Sequence, residues 1–158
     1  RDRVAYVEWD RDNAIFHTEG NSLDYATVRR QVLEDARDFR VEKLAVDRLF
    51  QGHETGTALS ESGLPVEFFG QGYLSMSPAS KDFERLAISE LIDAGGHPCL
   101  RWQVDHVAYR QDDAGNIKPS KNRSAEKIDG IVALIMAIGM AFGGEGGSVY
   151  RDRGAILL

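Results

Sequence analysis

A single cysteine, Cys99, stands among 158 residues, so no disulfide can close within the chain. A reducing compartment is the matching expectation. Positive charge is in short supply, with 19 Lys and Arg against 25 Asp and Glu and a net charge of −6. Domains that hold nucleic acid by bulk charge are usually basic, so any such contact here must come from a local patch. Long hydrophobic runs are missing as well. The longest, Ile131 to Phe142, is broken by Gly139 and falls far short of the ~20 residues that span a bilayer. The opening, Arg1–Asp12, is charged throughout and has no signal-peptide pattern. It begins without Met, and the expectation is a piece of a longer protein or a processed product. No G-x-x-x-x-G-K-[ST] phosphate loop occurs, which leaves a nucleotide-driven motor out of this stretch. His17, His53, His97 and His106 lack metal-ligand spacing. Cys99 lacks a matched His/Asn frame, and Ser75 and Ser77 lack a nucleophile elbow.

What is present describes one globular domain, with 42% hydrophobic and 28% charged residues and no internal repeat. Residues 4–9 and 14–18 read as short strands or extended segments around a turn at Asp10–Asn13. In residues 24–39, Tyr25, Val28, Val32, Ala36 and Phe39 recur at helical spacing and predict one buried face, with Ser22 or Asp24 as cap. The run 43–47 reads as a buried strand, 53–62 as an amphipathic helix ending at Gly63, and 65–72 as another strand. This alternation predicts an α/β sheet. Ser77-Pro78 reads as a helix cap and first turn, the helix running to about Ile92 before Ala94-Gly95-Gly96. A short helical turn and a strand near His106–Arg110 follow, then a tight turn at 112–116. The last helix is expected from Ala125 to Phe142 with Ser124 as cap. Residues 1–142 form the expected domain body and 143–158 a Gly-rich tail.

Two carboxylates in this pattern call for an explanation. Asp129 sits in the most apolar helix, where an ionised group away from water is costly unless paired or bound to a metal. Gly130 beside it would admit a close neighbour, and Glu126, three residues earlier, shares its helical face. A partner such as Lys127 or a distant arginine, or plain solvent exposure, explains Asp129 equally well. Asp47 ends the apolar run Leu44-Ala45-Val46, and ligand sites in α/β sheets gather at strand carboxyl ends. A turn-forming Asp fits there too. Taken together, a strand-end acid and a helix acid suit hard cations such as Mg²⁺ and two-metal phosphodiester hydrolysis.

Four blocks then carry a resemblance: LAVDRLF (44–50), EFFGQGYLSMSPASKDFERL (67–86), GGHPCLRWQVDHV (95–107) and GNIKPSKNRSAEKIDGIVALIMAIG (115–139). In order and spacing the chain resembles the nuclease domain of tailed-phage terminase large subunits. That resemblance implies a ribonuclease H-like α/β fold with a mixed sheet flanked by helices, lacking its first strands here. It also implies an acidic cluster binding Mg²⁺ or Mn²⁺, with Asp47 on the family's second catalytic aspartate and Asp129 on its third. The first is expected upstream of Arg1; Asp10 and Asp12 are the nearest acids and lie in a turn. The implied activity is cleavage of concatemeric double-stranded DNA in the host cytoplasm. The implied partners are the ATPase half of the large subunit, the small subunit and the portal protein.

Residues 114–127 hold four cations, Lys118, Lys121, Arg123 and Lys127, against one acid, Glu126. Lys118, Lys121 and Arg123 are candidates for DNA phosphates, which carry most non-specific affinity; an ordinary solvated loop is the other reading. Arg101 and Trp102 could meet nucleic acid together, although Trp102 fits a core position better. Glu126 is the weaker metal candidate. Two rival functions remain: a non-catalytic or prophage-derived remnant serving as an interaction module, and another ribonuclease H-like nuclease such as a resolvase or integrase. The SMSP and K-I-D-G-I-V-A-L stretches count against the second rival.

Overall fold

The apolar run near the C-terminus becomes the axis on which the rest packs. The computed structural model describes residues 4–18, 20, 22–49, 51–143 and 156–157. Helix α6, Asp129–Phe142, buries Ile131, Val132, Ile135, Met136 and Ile138. Helix α4, Tyr73–Ile88, faces it with Met76, Ala79, Phe83 and Leu86, a three- and four-residue spacing that makes one apolar stripe. The two helices approach closely because Gly139 has no side chain. A Cβ there would lie 2.9 Å from the Phe69 ring and 3.0 Å from Ala79 Cβ.

Beside this pair, strand β1 (Leu44–Asp47), helix α3 (Gln51–Glu61) and strand β2 (Val66–Phe69) form a parallel βαβ unit. Leu44 pairs with Val66 and Asp47 with Phe69. Gly56 of α3 sits over Phe68, where a Cβ would come within 2.7 Å of the ring, and Gly63 ends the helix region at φ +93°. Only glycine takes that backbone without strain. The order of these elements follows the sequence expectation, but β1 is half-buried instead of buried and β2 is shorter than the expected 65–72.

Helix α2, Tyr25–Asp38, also forms as expected, and Asp24 caps it by accepting from the Ala26 and Thr27 N–H groups at 2.9 and 3.3 Å. Its apolar face is not buried, however. Val28, Val32 and Ala36 are half-buried, while Tyr25 and Phe39 are exposed. Periodicity sets which side is apolar, but burial depends on what lies opposite, and α2 rests mainly on α3.

Several further expectations need correction. Residues 4–9 are not a strand: Tyr6–Arg11 is helix α1. The β-prone residues are overruled by Trp9, which is buried edge-on against Trp102 and Tyr6, each centroid 5.7 Å away. Residues 14–18 form no regular element. Ser77-Pro78 does not start α4, which opens at Tyr73 after an extended Gly72; Pro78 lies inside the helix. The carbonyl it leaves without an N–H belongs to Leu74, a residue 93% exposed. Ser77 is buried and accepts the Ile117 N–H at 3.2 Å. The helix ends at Ile88, not Ile92, because Glu90 turns left-handed at φ +55°. Ile92–Asp93 is instead strand β3, paired in parallel with β6 (Ile156–Leu157). That last strand lies within the stretch read as a tail; residues 144–155 and 158 fall outside the described residues.

The last correction concerns α6. It begins at Asp129 rather than Ala125, and Ser124 is not its cap. Ser124 Oγ instead accepts the Ala108 N–H at 3.0 Å and donates to the Ser120 carbonyl at 2.9 Å. The cap comes from helix α5, Pro98–His106, where buried Gln103 accepts the Ile131 N–H through Oε1 at 3.0 Å. Gly130 makes room for it: a Cβ there would lie 2.9 Å from Gln103 Oε1 and 3.2 Å from Leu100 Cδ2. The close neighbour that Gly130 admits is this side chain. At the start of α5, His97 Nδ1 accepts the Leu100 N–H at 3.3 Å, which leaves Nε2 to donate to the Ala14 carbonyl at 2.8 Å.

Strands β4 (Tyr109–Gln111) and β5 (Ile117–Pro119) make an antiparallel hairpin around the expected turn. The Asp112 carboxylate receives the Asn116 side-chain amide and the Asn116 and Ala114 N–H groups. These donors, Asn116 first, hold its pKa below the ordinary value.

Two outcomes follow from this packing. Gln103→Leu keeps the volume but leaves the Ile131 N–H without its acceptor, so urea unfolding should show a loss of about 1–3 kcal/mol. The Tyr109 hydroxyl is buried without a partner among the described residues, and burial, then Glu84, pushes its pKa above the ordinary 10. The folded state therefore holds that proton more tightly than the unfolded chain. Stability is complete below pH ~10 and declines as pH rises beyond it. Tyr109→Phe should be neutral or slightly stabilising near pH 7, by up to about 1 kcal/mol, and should flatten the alkaline decline in thermal melts.

Candidate functional site

Strand direction sets where chemistry can gather. Phe69 at the end of β2 lies against Gly139, and Gln71, two residues on, reaches Met136 Sδ at 3.9 Å. The carboxyl ends of β1 and β2 therefore point toward the N-terminal end of α6. Asp47 closes β1 there, with Oδ1 accepting the Leu49 N–H at 3.1 Å. Its backbone carbonyl packs against Gly52, where a Cβ would clash at 2.2 Å.

Asp129 opens α6, in its first turn, rather than sitting one turn inside it. Its side chain is 63% exposed and forms an ion pair with Lys121. The partner is thus neither Lys127 nor an arginine. The positive N-terminal end of the helix favours the charged carboxylate. Glu126 does not share a helical face with Asp129, because residues 124–128 precede the helix. It is half-buried and has no hydrogen bond or ion pair among the described residues.

Lys121 also lines a cavity of about 200 Å³ with Gln71, Arg110, Lys118, Ser120 and Asn122. An acid and several cations thereby share one place on the surface. Arg123 lies in the adjoining turn, exposed, its N–H bonded to the Ser120 carbonyl at 3.0 Å. Arg101 is exposed on α5 and does not line this cavity. Trp102 packs between Trp9 and His106, with centroids 5.7 and 4.3 Å away, and belongs to the small aromatic cluster that holds α1. Cys99 Sγ accepts from Gln103 at 3.3 Å.

Two residues of this site carry no sequence signal. Arg110 stands in a plain strand and Tyr73 follows a Gly-Gln-Gly stretch. They meet where the hairpin packs on α4, with Ser77 accepting the Ile117 N–H beside them.

For a divalent ion the donors fit in kind, since carboxylate oxygens suit hard cations. The Lys121 ammonium on Asp129 shows that this carboxylate takes a cation at the surface. In number they are few: among the described residues no three His, Cys, Asp or Glu lie together as a metal site.

A parallel βαβ unit packed on a helix whose first residue is an acid matches a ribonuclease H-like nuclease domain. The family model for the terminase large subunit, endonuclease domain, matches residues 1–145, and the chain belongs to that family. It is 35% identical to the terminase large subunit of Enterobacteria phage HK97 over 144 residues, 90% of this chain and 28% of that protein. It is 29% identical to Protein YmfN of Escherichia coli K12 over 148 residues, 89% of this chain and 31% of that protein. The crystal structure of the HK97 bacteriophage large terminase superposes with a TM-score of 0.81 at 33% identity, covering 88% of this chain and 29% of that one. The chain thus spans under a third of these relatives.

The Lys121–Asp129 pair is exposed on both sides, 57% and 63% by side chain, and exposed pairs contribute about 0–1 kcal/mol. Lys121→Ala should therefore shift the urea unfolding free energy by less than about 1 kcal/mol. A larger loss would make the pair a strut of the fold.

Proposed function

We propose that this chain is a metal-dependent endonuclease that cuts concatemeric double-stranded DNA during phage packaging. The observation that carries the reading is the position of Lys121, which binds the Asp129 carboxylate and lines the basic cavity at once. Phosphodiester hydrolysis needs both elements in one place: acids to hold metal and cations to hold the strand.

Asp47 and Asp129 are the proposed ligands of Mg²⁺ or Mn²⁺, with Glu126 a weaker candidate. A divalent ion held there would supply activation of the attacking water and compensation for charge developing on the phosphate. The chain's own part is to position. The backbone of β1 and the Leu49 N–H orient Asp47, and Gln103 fixes the helix start that presents Asp129. Lys118, Lys121 and Arg123 contact backbone phosphates near the cut, and Arg101 meets DNA farther along α5. Lys121, paired with Asp129 here, would be free to contact a phosphate if a metal ion held that carboxylate.

Residues 1–142 are the proposed nuclease body, and 143–158 an appendage whose final strand returns to β3. Within the complete protein we place this domain in the host cytoplasm, working with an ATPase domain, a small subunit and a portal protein.

Among the described residues no three acids lie together, and this favours a second reading, a non-catalytic DNA- or protein-binding module. Plasmid nicking with Mn²⁺ separates the two. The enzyme reading expects nicking by the wild type, reduced at least about 100-fold in Asp129→Asn, the scale on which lost charge stabilisation acts. Equal nicking by the variant sinks the role of Asp129; plasmid binding without nicking selects the module.

A further inference from the structure

The cavity beside Lys121 gathers charge that the fold itself does not use. The Arg110 guanidinium carbon lies 5.5 Å from the centroid of the Tyr73 ring, and the Lys118 ammonium lies 5.3 Å from the same ring. Arg110 Nε donates to the Tyr73 hydroxyl at 2.9 Å, and Lys118 Nζ donates to the Gln71 carbonyl at 2.8 Å. Both acceptors are neutral. Neither cation has a carboxylate partner among the described residues, although the chain holds 25 acids to 19 bases. Two uncompensated cations on one ring repel each other, and an anion between them turns that repulsion into attraction.

The chemistry of the arms narrows the anion. With Nε on Tyr73, the two terminal nitrogens of Arg110 are left to bridge a pair of oxygens, the geometry that suits phosphate. Lys118 adds a point charge, and Ser120 and Asn122 add hydrogen-bonding groups on the wall. At about 200 Å³ the cavity is several times the roughly 30 Å³ that one water occupies in the liquid. Its rim is Lys121, the partner of Asp129.

We propose that this cavity seats a DNA backbone phosphate neighbouring the one that is cleaved. Arg110 and Lys118 are its cationic arms, and Tyr73 is the positioning residue that aims them. The proposal rests on the nuclease reading for the identity of its ligand, and it adds a register: a phosphate held here fixes which bond of the strand reaches Asp129.

The test is anisotropy of a labelled duplex with EDTA present, so that no cleavage intervenes, across a series of salt concentrations. Arg110→Gln and Lys118→Gln should each weaken binding about 10-fold and reduce the slope of log K against log salt by about 1. Arg110 is exposed, so its replacement leaves the core intact. Tyr73→Phe keeps both charges, so affinity should fall a few-fold with the slope unchanged. Arg37→Gln, an exposed charge on the last turn of α2, is the matched control and should change affinity less than about 2-fold. Arg110 and Lys118 variants that titrate like the control overturn the seat. So does displacement of the duplex from wild type by millimolar inorganic phosphate at constant ionic strength, which would reassign the cavity to the free anion. Loss of nicking in Asp129→Asn with unaltered binding in Arg110→Gln removes the seat and leaves the nuclease. Weakened binding in Arg110→Gln with no nicking by any version removes the nuclease and leaves the seat.

Discussion

A hydrogen bond between a buried side chain and a helix end sets the geometry of the whole site. Gln103 on α5 accepts the Ile131 N–H, and in doing so fixes where α6 begins. Had the helix opened four residues earlier, Asp129 would lie one turn inside it and away from its positive end. Beginning where it does, α6 presents that carboxylate at its positive end, in reach of solvent and of Lys121. Gly130 is the concession that allows it, because any Cβ there would meet the Gln103 oxygen. Packing therefore decides where on the helix this carboxylate stands, at the positive end and not one turn further in.

Charge is sorted in space as well. The chain is acidic overall, yet the surface between the α4 start, the hairpin and the α6 start is lined by Arg110, Lys118 and Lys121. The sorting depends on a small number of ties between distant segments. Ser77 holds the hairpin on α4, Ser124 holds the approach to α6, and Tyr73 orients two of the cations. An acidic protein can in this way offer a polyanion one favourable face while the rest of its surface repels it.

Much of this was legible in the residues, for reasons that can be named. Local patterns settled local matters: the strand–helix–strand run from Leu44 to Phe69, the Asp24 cap, the turn at Asp112–Asn116 and the apolar stripe of α6. So did the charge run from Lys118 to Lys127, two of whose lysines line the cavity. What escaped was decided at a distance. Trp9 is drawn into a helix by Trp102, far along the chain, and no short window of sequence contains that contact. The Ser-Pro signal at 77–78 has the same spelling whether it starts a helix or lies within one. The α6 cap comes from 28 residues upstream, so the nearer serine looked the better candidate. Arg110 and Tyr73 were invisible as a pair because only the folded hairpin joins them. The terminase resemblance placed Asp47 and Asp129 as acids of interest, but gave no account of the ammonium group resting on one of them.

The central claim is that Asp47 and Asp129 together bind one metal centre and that Lys121 stands in for it when metal is absent. A crystal of this chain soaked in Mn²⁺ and measured for anomalous scattering tests that directly. The account predicts a peak about 2.1 Å from carboxylate oxygens of both residues, with the Lys121 ammonium moved away from Asp129. A peak elsewhere, or none with Lys121 still on Asp129, would contradict it.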